Sequence, residues 1–201
     1  MKISLIEKKV ISFVKKQGIV KPCDIKNLHL PENYLHLLVK KGVLQKLGRG
    51  LYTHAEHTFD AHQSIMEVSK RVPNAVICLL SALRYHEFTT QNPFEIWIAV
   101  DIKSWVPKIE YPPIRVFKFS GKAFSQGYSE YKHDGVIVKV YSPAKTIADC
   151  FKYRNKIGLD VALEALREGW RYKLFTIDEL YKYGKICRVN KVMQPYLDSL
   201  I

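Results

Sequence analysis

Apolar positions recur at helical spacing from the start of the chain. Leu5, Ile6, Val10, Ile11, Phe13 and Val14 mark one face over residues 4–16, and Lys8, Lys9, Lys15 and Lys16 lie on the other. Gly18 ends that run. Pro22 suits the first turn of a short second helix, with Cys23, Ile25 and Leu28 as its apolar side. Pro31 opens a third helix with Tyr34, Leu35, Leu38 and Val39 directed inward, and Gly42 is its stop. Residues 43–53 read as two short strands joined by Gly48-Arg49-Gly50, whose glycines supply the positive φ values of a tight hairpin.

Beyond a connector at residues 54–60 the pattern changes. Helical spacing returns over residues 60–71 through Ala61, Ile65, Met66 and Val68, and residues 79–86 read as another helix. Residues 75–78 form a short apolar run, and strands are expected at 95–100 and 114–119, the last alternating with Arg115 and Lys118 on its polar side. Residues 128–133 and 136–141 pair across Asp134-Gly135, a two-residue hairpin signal. Ser142-Pro143 caps a helix carrying Ala144, Ile147, Ala148 and Phe151, and helices follow at 159–170, from the capping box Thr176–Glu179, and at 189–200. The order predicts an α+β protein: an N-terminal winged helix-turn-helix in residues 1–54, then a mixed α/β domain in residues 55–201 with a small sheet and a helical C-terminal part.

Charge gives this pattern a partner. Thirty-two Lys and Arg against nineteen Asp and Glu leave a net +13, a surplus that attracts polyanions over a long range. No apolar run reaches the roughly 18 residues needed to span a bilayer. The N-terminus carries no signal-peptide pattern, so a cytoplasmic protein without membrane contact is expected. Cys23, Cys78, Cys150 and Cys187 stand far apart, which favours reduced structural thiols.

In a helix-turn-helix the second helix of the motif enters the major groove. Its outward candidates here are Glu32, Asn33, His36, Lys40 and Lys41, with Asn33 suited to paired hydrogen bonds with adenine and Glu32 to capping the helix. Lys46 and Arg49 place charge on the hairpin, where an Arg can enter the minor groove or hold phosphate. The expected partner is double-stranded DNA.

The segments Tyr34-Leu35, Lys40-Lys41-Gly42-Val43-Leu44 and Gly48-Arg49-Gly50-Leu51-Tyr52 resemble the winged-helix start of AbiEi-type antitoxins and related transcriptional regulators. Leu80-Ser81-Ala82-Leu83 with His86, Trp97-Ile98-Ala99-Val100, and residues 142–150 resemble that family's C-terminal domain. The resemblance implies the antitoxin half of a type IV toxin–antitoxin (abortive infection) pair. Such a protein represses its own operon at inverted repeats. Binding to an inverted repeat favours two copies per site, which a monomer in solution can assemble on the DNA itself. Its functional partner would be a nucleotidyltransferase toxin that forms no stable complex with it. A stand-alone regulator without a toxin is the open alternative, and the neighbouring reading frame would discriminate the two.

Lys145 and Asp149 are spaced as an ion pair on one helix face, and with Lys152 and Arg154 they are the functional candidates of the C-terminal domain. The pair reads equally as a polar anchor or as an ordinary surface ion pair. Further basic residues (Lys156, Arg167, Arg171, Lys173, Lys182, Lys185, Arg188, Lys191) offer a second nucleic-acid surface or a solvated face, and Trp170, Tyr172 and Phe175 among them read as core. His54, Glu56, His57, Asp60 and His62 crowd the connector without a standard metal spacing, so no metal or other cofactor is expected. Glu95, Asp101 and Lys103 resemble the acidic-acidic-Lys core of metal-dependent nucleases, but a strand separates the carboxylates by roughly 20 Å. A metal-dependent nucleic-acid-processing enzyme is therefore the remaining alternative, and the expectation is a protein without catalysis.

Overall fold

The first helix starts on a reciprocal cap. The Glu7 N–H donates to Ser4 Oγ at 3.2 Å, and the Ser4 N–H donates to the Glu7 carboxylate at 2.8 Å. This computed structural model describes residues 4–58 and 62–199. From the cap, α1 (Leu5–Gln17) runs to Gly18, whose φ of 64° turns the chain. A short α2 (Pro22–Lys26) and α3 (Asn33–Lys40) follow. The antiparallel pair β1 (Leu44–Gly48) and β2 (Leu51–His54) comes next, and Val20 bridges Tyr52 on its other edge. Val10, Val14, Ile25, Leu35, Leu38, Leu44 and Tyr52 close into one core. Fully burying side chains such as Leu35 and Leu38 contributes about 1.5–3 kcal/mol each.

Three local expectations need correction. Cys23 is exposed, and Leu28 lies past the end of α2 with 43% of its surface exposed, so Ile25 alone anchors that helix. A helix of five residues has too little length to present a wider stripe. Glu32 occupies the N-cap position of α3, yet its side chain makes no capping bond, and the helix begins at Asn33 rather than Pro31. In the hairpin turn Gly50 has the positive φ, 69°, whereas Gly48 does not. A Cβ at Gly48 would stand 2.5 Å from the Arg71 guanidinium, the mobile end of a long side chain that can turn aside.

Contacts divide the chain into two units: described residues up to 73 with 132–138, and 74–131 with 139–199. The first therefore extends past the boundary drawn at residue 54. It includes α4 (Gln63–Arg71), whose Lys70 pairs with Asp24 at 2.8 Å. Asp60 and Ala61, read as the start of that helix, lie outside the described residues. The turn Asp134-Gly135 also belongs to this unit, with φ of 43° and 78°. It fits so closely that a Cβ on Gly18 would stand 2.5 Å from the Asp134 carbonyl oxygen.

The second unit is built from β3 (Val76–Ile77), α5 (Leu79–Tyr85), β4 (Ile96–Asp101), β5 (Ile114–Phe119), α6 (Lys122–Ser125) and the parts of β6 (Tyr128–His133) and β7 (Val136–Tyr141) outside residues 132–138, followed by α7 (Pro143–Lys152), α8 (Arg154–Ile157), α9 (Leu159–Arg171), α10 (Ile177–Cys187) and α11 (Asn190–Leu197). The mixed sheet has the order β5–β4–β3–β7–β6, with β4 parallel to β5 and antiparallel to β3, and β3 parallel to β7. Its apolar face is aromatic: Trp97 stacks on Phe117 and Phe119 on Tyr141, at 5.0 and 5.7 Å between ring centroids. Helix α7 packs against α5, α9 and α10 with every residue from Ala144 to Phe151 buried, which places its polar side chains in the core. No helix among the described residues is long and apolar enough to cross a membrane.

Candidate nucleic-acid interface

Helix α3 has two chemically distinct sides. Leu35 and Leu38 are fully buried, which leaves Asn33, His36, Leu37 and Lys40 on the opposite, exposed face at successive spacings of three, one and three residues. Leu37 is 40% exposed between two polar neighbours. A leucine in an amphipathic helix is normally core, so composition alone does not mark Leu37 as exposed; its phase with Asn33 and Lys40 is the signal that does. His36 is held rather than loose. Its Nε2 lies 3.3 Å from the Tyr52 hydroxyl, and the two rings meet edge to face.

Lys41 does not join this face. Its ammonium pairs with the buried carboxylate of Glu7 on α1, and that hydrogen bond, together with the Ser4 N–H, holds the Glu7 carboxyl below its usual range. Lys41, expected among the DNA contacts, is thus engaged with α1. On the hairpin, Lys46 and Arg49 are both exposed, and Arg49 sits in the turn itself beside Gly50. The structure therefore gathers Asn33, His36 and Lys40 on one helix face, with Lys46 and Arg49 on the hairpin of the same unit.

The C-terminal candidates separate into two pairs. Lys145 and Asp149 are completely buried, with Nζ 2.7 and 2.6 Å from the two carboxylate oxygens. The Cys187 thiol donates to Asp149 Oδ1 at 3.2 Å, and the Lys145 ammonium lies 4.1 Å from the centre of the Tyr141 ring. Burial pushes the Asp149 carboxyl above its usual range while Lys145 pulls it back, and burial drives the Cys187 thiol up to about 12. This is a core ion pair, and the reading of it as an ordinary surface pair is overturned by that burial. Lys152 is exposed and Arg154 half-buried, its Nη1 donating to the Phe151 carbonyl at 3.0 Å. Of the nearby aromatics Phe175 is core, Trp170 half-buried and Tyr172 exposed at 57%, so the core reading fails for Tyr172.

The two metal-like groupings do not converge. His54 lies 3.9 Å from Glu56, His57 3.5 Å from Asp134, and the His62 ring 5.1 Å from that of His133. Asp60 lies outside the described residues. Glu95 precedes β4 and Asp101 ends it, where the Asp101 carboxylate accepts the Lys103 N–H at 2.8 Å in a local turn. Among the described residues no group of three His, Cys, Asp or Glu side chains is placed to hold a metal ion.

Residues 8–53 match the family model of a transcriptional regulator described as AbiEi antitoxin, the family that the segment from Tyr34 to Tyr52 resembles. The match runs from within α1 into β2 and covers both exposed surfaces just described. That family is one of regulators and antitoxins rather than of enzymes. No curated protein matches the chain.

Proposed function

We propose, with the antitoxin-family match over residues 8–53 as premise, that the chain is a DNA-binding repressor whose N-terminal unit is a winged helix-turn-helix. One observation carries this reading: α3 buries its apolar side and leaves Asn33, His36, Leu37 and Lys40 open as a single face. Seated in the major groove, such a helix directs Asn33 at the N-terminal end to an adenine edge, Leu37 to a thymine methyl and Lys40 to phosphate. Arg49 at the hairpin turn reaches the minor groove or its flanking phosphates, and Lys46 adds a backbone contact. The net +13 supplies the long-range attraction.

The physiological reading follows the family. The protein represses its own operon in the cytoplasm from inverted repeats, two copies per site, and serves as the antitoxin of a type IV pair. The second unit supplies antitoxicity toward a nucleotidyltransferase that it does not stably bind. Footprinting on the upstream region across a salt series tests the DNA-binding reading. The expected result is a protected inverted repeat whose affinity falls steeply with salt. An unprotected upstream region, or binding untouched by Lys40→Ala together with Arg49→Ala, would sink it. Co-expression with the product of the adjacent reading frame tests the antitoxin role: relief of growth arrest is expected, and persistent arrest refutes it.

A further inference from the structure

Five cations converge on one concavity of the second unit. Lys122 from α6, Lys152 from the last turn of α7, Arg154 from α8, and Lys185 and Arg188 from the end of α10 line a cavity of about 940 Å³. No carboxylate is among its lining residues, and none of the five cations pairs with a carboxylate among the described residues. Ile186, Val189 and Val192 give the cavity an apolar side. Behind it, the thiol of Cys187 is tied to the buried Lys145–Asp149 pair, so the wall rests on an ordered part of the core.

A structural account of these cations is available but incomplete. Lys152, Lys185 and Arg188 each sit at a helix C-terminus, where positive charge is favoured by the helix dipole. That explains each of the three singly. It does not explain why Lys122 and Arg154, from two other elements, face the same space, or why no acid pairs with any of the five; Asp149 attracts Lys152 but is itself paired with Lys145. Convergence of like charges without a counterion is unfavourable in the empty protein and is offset when an anion occupies the site.

We propose that this cavity binds a small ligand carrying two or more phosphates, of the nucleoside polyphosphate class. The terminal phosphate of such a chain carries up to about two negative charges near neutral pH and each inner phosphate about one, so a nucleoside triphosphate brings about four, which suits five cations where a single carboxylate does not. Arg154 and Arg188 are suited to paired hydrogen bonds with phosphate oxygens, and the three lysines act as point charges around them. The volume lies at the upper end of the usual range for small-ligand pockets, about 300–1,000 Å³. It exceeds the need of inorganic phosphate and leaves Ile186, Val189 and Val192 for the nucleoside. This site is separate from the DNA-contacting residues proposed above and does not depend on them.

Calorimetric titration of the full chain with ATP, GTP, inorganic tripolyphosphate and adenosine tests the proposal, using wild type and the double variant Lys152→Ala/Arg188→Ala. The expected result is saturable binding of the nucleotides and tripolyphosphate, none of adenosine, and a loss of at least about tenfold in the double variant. A second double variant, Lys122→Ala/Lys185→Ala, should show the same loss, and without ligand both should unfold at or above the wild-type midpoint, since like-charge repulsion is relieved, and keep upstream-DNA affinity. If one pair fails to fold, the other carries the test. Absence of nucleotide and tripolyphosphate binding at millimolar concentration would overturn the proposal, as would binding unchanged by either folded variant. A parallel loss of DNA affinity would reassign the cations to a backbone contact, and binding of a single-stranded RNA oligonucleotide without any mononucleotide binding would reassign them to a polymer; either overturns the small-ligand site.

Discussion

The hydroxyl of Tyr52 on the hairpin lies 3.3 Å from Nε2 of His36 on α3, with the two rings edge to face at 5.7 Å between centroids. A buried residue of the hairpin thereby orients a side chain on the exposed helix face. Tyr52→Phe keeps the ring and removes the hydroxyl. Upstream-DNA affinity is expected to fall by roughly two- to tenfold, the worth of one net hydrogen bond, with the unfolding midpoint little changed. Gel shift beside urea denaturation checks it; equal affinity in the two proteins would show that His36 does not depend on Tyr52.

Residues on the proposed interface should differ in kind. Asn33→Ala is expected to cost about 1–3 kcal/mol at one base pair and to relax selectivity there, with the salt dependence preserved. Lys40→Ala and Arg49→Ala should weaken binding to all sequences and each lower the salt slope by about one phosphate's worth. Arg49→Ala should leave folding intact, because the side chain is exposed in a turn and supports no core. Affinities for a panel of single-base operator variants at several salt concentrations separate the two behaviours. A salt slope unmoved by either cation change would argue against these contacts.

Lys41 should act through the fold instead. Its ammonium holds the Glu7 carboxyl below the ordinary range, so the pair stabilises the protein above that range and is lost as pH falls through the lowered value. Lys41→Ala is expected to lower stability at neutral pH and to flatten its decline between about pH 5 and pH 3. Urea midpoints across that interval measure the effect. A Lys41→Ala protein with wild-type stability and reduced DNA affinity would return Lys41 to the interface.

Local signals in the sequence served well where the chemistry is local. The Asp134-Gly135 turn, the Ser142-Pro143 start and the Thr176–Glu179 capping box all form as the residue types predict. What those signals miss has non-local causes. Lys41 has the sequence position of a DNA contact, and its pairing with Glu7 arises from the packing of α1 beside α3. Leu37 is exposed because neighbouring side chains complete the core without it. Lys145 and Asp149 have the spacing of a surface pair; their burial is set by strands and helices on every side of α7, which no spacing rule encodes.

That buried pair gives the sharpest stability prediction. Lys145→Met removes the partner of a carboxylate with no exposed surface, and breaking such a pair from one side costs about 3–5 kcal/mol. Without the ammonium, burial raises the Asp149 carboxyl further, so the folded variant takes up a proton more readily than the unfolded chain does. Its deficit should be greatest at neutral pH and should narrow as pH falls toward the ordinary aspartate range. The double variant Lys145→Met/Asp149→Leu removes both charges and should recover most of the loss, because the site is already enclosed by Phe119, Tyr141 and Cys187. Chemical denaturation of the three proteins across pH measures both effects. A single variant as stable as wild type at neutral pH would mean that water reaches Asp149. A double variant no better than the single would mean that the cavity left by the lysine, rather than the stranded charge, sets the cost.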